Sequence, residues 1–386
     1  MADAPFLPFA LPEISEEEIA AVVETLRSGW ITTGPKTKEL ERRFAEATGA
    51  AHAVMVNSCT AALHLALEAL GVKAGDEVIV PTLTFAASAE VVRYLGATPV
   101  LVDVRRSDHN VDPAAVERAL GPRTRAVIPV HFAGVPADMD ELAALVAPRG
   151  IPLVADSAHC FPGQYRGRNV GTLAAVTCFS FYATKTLTTA EGGAAVTADP
   201  ALADRMRIMS LHGISRDAWK RYSAEGSWYY EIVAPGFKYN MTDVAAALGL
   251  GQLARAERMW ARRRAIAEAY DAAFRGEEAL ELLARPADRG HAHHLYVLKL
   301  AGRAAAGRDR VIQRLKERGI GTSVHFIPLH LHPYYRETYG YRPEQLPVAL
   351  DLYQRSLSLP IYSRMTDGDV DRVIEGVRSA LARGPL

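Results

Sequence analysis

The sequence of 386 residues predicts an α/β fold, with a mainly parallel central sheet in a large domain and a smaller C-terminal α/β domain. Three observations carry that expectation. From residue 53 to about 200, short β-branched runs alternate with helical patterns, as in sheets covered by helices on both faces. After Met241 the composition changes to a long Ala-, Arg- and Glu-rich helical stretch. A chain of this length also exceeds one small core and divides into about two domains.

The first element is announced by Ile14-Ser15-Glu16-Glu17-Glu18-Ile19, a capping box in which Ser15 and Glu18 satisfy each other's backbone and Ile14 is placed to staple onto Ile19. A helix follows, with apolar positions Ile19, Val22, Val23 and Leu26 at helical spacing and Gly29 as its stop. Trp30 to Pro35 forms a loop. The strands are read at residues 53–56, 77–80, 99–102, 126–130, 152–155 and 176–179. Asp243 to about Ala273 is one long helix. Residues 295–300 form a strand and Arg308 to Arg318 a helix of the smaller domain. The expected division is residues 1–250 and 251–386, and the aromatic segment Trp219–Ile232 is expected to pack on a neighbouring surface.

Lys plus Arg and Asp plus Glu both number 44, so no overall field favours nucleic acid or an anionic membrane. A small-molecule substrate is expected. No run of about 18 apolar residues marks a membrane span, and the N-terminus has no basic region before an apolar one. Cys59, Cys160 and Cys178 are odd in number and lack Cys-x-x-Cys spacing, against both a disulfide framework and a thiolate zinc site. These features predict a soluble, cytoplasmic protein. His291, His293, His294, His325, His330 and His332 fit no common metal spacing, and no metal is expected.

In parallel sheets ligands collect beyond the carboxyl ends of strands, so the residues after each run are the candidates. Asn57-Ser58-Cys59-Thr60 opens a helix whose N–H groups and dipole suit a phosphate. Phe85, after the second run, offers a flat apolar face. Asp156 ends the fifth run as a carboxylate that is costly to bury unless it meets a cation or strong donors. Lys185 sits in Phe179-Ser-Phe-Tyr-Ala-Thr-Lys-Thr-Leu-Thr-Thr-Ala-Glu-Gly-Gly193 among hydroxyls and small residues, with no acid until Glu191. Read singly these are a helix cap, a core aromatic, a structural acid and a solvated lysine. Together they meet the four needs of pyridoxal 5′-phosphate (PLP): a phosphate cradle, a stacking face, a partner for the ring nitrogen and a lysine for its aldehyde.

These residues resemble the DegT/StrS family of sugar aminotransferases, PLP enzymes of transferase fold type I acting on nucleotide-linked keto-sugars. The resemblance spans nearly the whole chain through Gly29-Trp-Ile-Thr-Thr-Gly-Pro35, Asn57 to Leu63, Gly96 to Val100, Asp156 to His159, the Lys185 block and Gly236-Phe-Lys-Tyr-Asn-Met-Thr-Asp243. It implies Lys185 as Schiff-base lysine, Asp156 as partner of the ring nitrogen, His159 on the ring hydroxyl side and Phe85 as the stacking aromatic. Ser58, Cys59, Thr60 and Ser180 would hold the phosphate. Asn240 would reach it from a second subunit, since the family forms homodimers with shared active sites. Thr32, Lys238 and His325 would border the sugar nucleotide.

The implied reaction moves an amine from L-glutamate, which leaves as 2-oxoglutarate, to a UDP- or dTDP-linked keto-sugar. The N-terminal loop, Pro129 to Asp138 and Lys238 to Asn240 look most like the branch that makes UDP-4-amino-4-deoxy-L-arabinose, while Val324 to His330 is closer to other branches. This favours a 4-keto over a 3-keto sugar, both kept open, and lipopolysaccharide as the destination. Two other readings stay open at the level of sequence. One is a dehydratase of the same family, which carries histidine in place of the lysine; the other is a PLP-binding sensor without turnover.

Overall fold

The structure, a computed structural model, describes residues 5–215 and 229–382; residues 219–228 of the aromatic segment Trp219–Ile232 lie outside them. Seven strands make the central sheet: β1 (His52–Val56), β2 (Glu77–Pro81), β3 (Thr98–Val102), β4 (Thr124–Val127), β5 (Val154–Asp156), β6 (Val176–Ser180) and β7 (Gly193–Thr197). β2 pairs in parallel with β3 and β4, and β5 with β6. Parallel bridges Val127↔Leu153 and Val130↔Asp156 join these two sets into the order β1-β7-β6-β5-β4-β2-β3. β7 alone runs antiparallel to both its neighbours. It was not foreseen from sequence, because Gly193-Ala-Ala-Val-Thr197 has little β-branched character.

Packing explains that composition. A Cβ on Gly193 would fall 2.5 Å from the Cys59 nitrogen, so only glycine lets β7 pass the start of the helix that follows β1. The helices of the large domain are α1 (Glu16–Ser28), α2 (Pro35–Thr48), α3 (Cys59–Ala69), α4 (Ala87–Tyr94), α5 (Pro113–Ala119), α6 (Met139–Val146) and α7 (Pro200–Ser210). α3 is apolar nearly all round, with residues 61–67 buried between sheet and neighbouring helices, as a helix of the inner layer must be.

α8 (Asp243–Phe274) is the spine of the molecule and is continuous through residue 250, where the sequence reading divides the chain. Its first half carries α1 and α2. The capping box of α1 forms as expected, with the Ser15 amide donating to Glu18 at 2.9 Å and the Glu18 amide to Ser15 at 3.4 Å. Glu18 is also buried against α8, where it accepts from Gln252 at 2.9 Å and pairs with Arg255 at 2.7 Å. The helical apolar pattern therefore turns outward: Ile14, Ile19, Leu26, Trp30 and Ile31 are all exposed in the single chain. Its second half carries the smaller lobe, a sheet of β8 (Leu280–Leu282), β9 (Tyr296–Leu300) and β10 (Ser356–Leu359) with α9 (Arg308–Glu317), α11 (Pro347–Arg355) and α12 (Asp367–Ala382), while α10 (Pro333–Tyr339) packs back onto the large domain through Tyr335. The N-terminal strand segment joins this lobe, since Leu7 bridges to Ile320 and is buried in its core.

One carboxylate ties the N-terminal loop to the spine. Asp243 accepts from the amides of Gly34 (2.8 Å), Lys36 (3.0 Å) and Thr37 (2.9 Å) and from the Thr37 hydroxyl (2.7 Å), which caps the start of α2 from α8. Thr33 donates to the Met241 carbonyl, and Asn240 donates to the Thr33 hydroxyl, at 2.5 and 2.6 Å. Asp243→Ala leaves the buried donors of Gly34 and Thr37 unmet and is expected to cost roughly 2–4 kcal/mol. Urea denaturation checks it: the midpoint falls at an unchanged slope, and an unaltered midpoint would refute the clamp.

Candidate active site

The ends of β1, β5 and β6 and the loop between β6 and β7 converge on a cleft of about 480 Å³. Nine of the twelve expected site residues line it: Ser58, Cys59, Thr60, Phe85, Asp156, His159, Ser180, Lys185 and His325. Thr32, Lys238 and Asn240 do not. Thr32 and Lys238 are exposed, and Asn240 is held against Thr33 and bridges to Val56.

Each wall has a local cause. Ser58 caps α3, its hydroxyl accepting from the Ala61 amide at 3.1 Å, which leaves the first-turn N–H groups of Cys59 and Thr60 without intrahelical acceptors at the cleft. Asp156 is buried at the end of β5. Ser88 donates to it at 2.7 Å, the Ala158 amide donates at 3.0 Å, and Thr84 hydrogen-bonds Ser88 in turn at 2.8 Å. Burial raises its proton affinity, while those two donors and the Lys185 charge lower it. The outcome is a raised value, so this carboxylate is short of positive charge.

Lys185 is held at the end of a tight turn, its amide donating to the Tyr182 carbonyl at 3.0 Å. Enclosure lowers its ammonium from the ordinary 10.5 to about 8, against the raising effects of Cys59 and Asp156. The lysine is thus a nucleophile at accessible pH. His159 stands over the same floor, stacked on Phe326 at 5.7 Å and 4.5 Å from the His294 ring. Burial keeps it neutral, and its Nδ1 has no protein partner. Phe85 lines the cleft and is 62% exposed, so one side of the residue is open to a ligand there. His325 donates to or accepts from Ser358 at 2.9 Å, and enclosure lowers it to about 4.

Thr84, Ser88, His294, Phe326 and Arg263 belong to this site or its support and were not singled out for those places by sequence. Ser88 lies one turn past Thr84 on an otherwise ordinary helix start, and the others come from segments joined to the site only by folding. Among the described residues, no group of three or more His, Cys, Asp or Glu side chains is arranged to hold a metal ion, and no helix is long and apolar enough to cross a membrane.

The residues fit PLP. Free amides at α3 with Gly193 pressed against them make a phosphate cradle; a carboxylate short of positive charge suits a protonated ring nitrogen; an orphaned His159 Nδ1, an open Phe85 face and a lowered lysine complete the set. Such a set defines a PLP enzyme on an α/β platform. The chain belongs to the DegT/DnrJ/EryC1/StrS aminotransferase family, which it matches over residues 12–378.

Relatives agree in sequence and shape. The spore coat polysaccharide biosynthesis protein SpsC of Bacillus subtilis (strain 168) is 50% identical over 375 residues, 97% of this chain and 96% of that protein. Spr1654 of Streptococcus pneumoniae, named as a sugar aminotransferase and solved in its PMP form, superposes with a TM-score of 0.92 at 40% identity, covering 97% of this chain and 98% of that one. Its PLP form matches at 0.91. Helicobacter pylori PseC, an aminotransferase involved in the biosynthesis of pseudoaminic acid, superposes at 0.91 with 28% identity over 98% of this chain and 99% of its own. The protein is accordingly a PLP-dependent sugar aminotransferase of fold type I.

The lowered lysine makes a pH prediction. Only the neutral amine attacks an aldehyde, so capture of added PLP by the cofactor-free protein gains rate as pH rises through about 8 and levels off above it. Stopped-flow absorbance from pH 6 to about 11 reads this; a rise that continues to the ordinary lysine range would show that Lys185 is not lowered.

Proposed function

We propose that this enzyme transfers an amino group from L-glutamate to a UDP- or dTDP-linked 4-keto sugar, giving a nucleotide-linked aminosugar and 2-oxoglutarate. The observation that carries the reaction type is Lys185: a lysine with lowered proton affinity, opposite a buried carboxylate in one cleft, can both anchor a carbonyl cofactor and move protons once displaced. It also counts against the dehydratase alternative, which carries histidine there.

When bound, PLP supplies the ring that takes up the electrons of a carbanion. The chain supplies the rest. Asp156, stiffened by Ser88 and the Ala158 amide, would hold the proton on the ring nitrogen. The α3 amides with Ser58, Thr60 and Ser180 would fix the phosphate, Phe85 would cover one ring face and His159 would meet the ring hydroxyl. Freed Lys185 Nζ then takes the proton from the α-carbon of the donor and, in the second half-reaction, delivers one to the sugar carbon. His325, at the mouth of the cleft, is assigned to the sugar.

The nucleotide link and the 4-keto position rest on the sequence resemblance, supported by relatives named for polysaccharide and pseudoaminic acid biosynthesis. A homodimer completes the reading. The outward apolar residues Ile19, Leu26, Trp30 and Ile31 form a surface suited to a second copy, which would bring Asn240, Lys238 and Thr32 to the partner's cleft. We place this enzyme in the cytoplasm, with aminosugars for a surface polysaccharide as its products.

The purified protein with L-glutamate should lose the visible absorbance of its lysine-linked cofactor as 2-oxoglutarate appears, and then aminate a UDP- or dTDP-4-keto sugar. Lys185→Ala should bind PLP without that absorbance and lose roughly 10²–10⁴-fold in rate. Absorbance unmoved by glutamate would overturn the donor assignment and favour a binding protein without turnover.

A further inference from the structure

Arg263 is a buried guanidinium on α8 that meets no carboxylate among the described residues, an expensive arrangement that its neighbours do not share. Arg255 pairs with Glu13 and Glu18, Arg262 with Asp367, and Arg264 with Glu268. Arg263 instead donates to three carbonyls: Ile361 at 2.8 Å, His294 at 3.3 Å and Thr184 at 3.4 Å. Those carbonyls belong to the smaller lobe, the cleft wall beside His159 and the residue preceding Lys185. No other described side chain hydrogen-bonds all three.

We propose that Arg263 is a positioning residue for amino transfer: its fork locks the Lys185 loop, the His294 wall and the smaller lobe together, and its uncompensated charge acts on the reactive amine. The inference rests on Lys185 being that amine. Carbonyls satisfy the guanidinium without neutralising it, so its field reaches the cleft, where it disfavours the ammonium of Lys185 and the protonated forms of His293 and His294. Burial lowers Arg263 itself only to about 10, so it stays charged at neutral pH. The other groups facing Lys185 are Cys59 on α3, Asp156 on β5, His159 after it, Tyr182 and Glu191 in its own loop, and His294 and His325 across the cleft. Cys59 and Asp156 raise its proton affinity, and Arg263 acts in the opposite direction.

The test compares wild type, Arg263→Gln and Arg263→Lys as full chains. In cofactor-free protein, the pH midpoint of Lys185 is read by competitive acylation and peptide mass spectrometry. In the holoenzyme, release of PLP into a trapping protein is timed. Arg263→Gln should move the midpoint upward, since it removes a charge that disfavours the ammonium while leaving the enclosure in place. Arg263→Lys should raise the midpoint no more than Arg263→Gln does, because a buried ammonium keeps at most part of the charge, and should release PLP several-fold faster, because an ammonium cannot span the fork. A folded Arg263→Gln with the wild-type midpoint overturns the electrostatic part. If that variant does not fold, Arg263→Lys decides alone, and wild-type release with a wild-type kcat overturns the positional part. Failure of wild type to bind PLP would instead undo the cofactor assignment to this lysine and leave the acylation comparison standing.

Discussion

A carboxylate buried at the end of a strand must be met by positive charge or hydrogen-bond donors, and the site around Asp156 is organised by that requirement. The chain supplies two donors, Ser88 and the Ala158 amide, and stops there. Lys185 is near enough to matter electrostatically, but enclosure weakens its own hold on a proton. The two groups are therefore poorly matched to each other and well matched to a ligand carrying both a basic nitrogen and an aldehyde.

The platform follows from the strand order. Parallel β5 and β6 place Asp156 and Ser180 at the same edge, and β1 leads directly into the α3 N-terminus, so acid, hydroxyl and phosphate cradle share one rim. Antiparallel β7 lies between β1 and β6, and Gly193 allows it to pass the start of α3 without a side chain between them. The smaller lobe closes the opposite side with Phe326 and His325, and α8 carries it rigidly, through Arg262, Arg263 and Tyr270, onto the segment 360–365.

Much of this was legible in the sequence. Six strands showed as β-branched runs, α1 as a capped periodic stretch, α8 as a long Ala-, Arg- and Glu-rich one, and Lys185, Asp156 and the Ser58 to Thr60 turn as residue types that make little sense apart. Strand β7 was hidden because close packing demanded small residues in place of β-branched ones. The helical face of α1 was legible as a pattern but not as a direction, since the Glu18, Gln252 and Arg255 network draws the polar face inward. His294, Phe326 and Arg263 were hidden for a different reason: their roles depend on contacts between distant segments, which local periodicity does not encode.

The carboxylate of Asp243, which caps α2 across 209 residues of chain from Gly34, also constrains how the molecule is made. At about 5–20 residues per second, a ribosome needs roughly 10–40 s to deliver that residue after the loop it holds. Until then α2 lacks its cap and Glu18 its Gln252 and Arg255 partners, and Leu40 and Phe44, buried in the folded chain, remain uncovered on an undocked pair of short helices. The first 48 residues are thus emitted early but assembled late, which makes the nascent chain, more than the finished enzyme, the form that depends on shielding from aggregation.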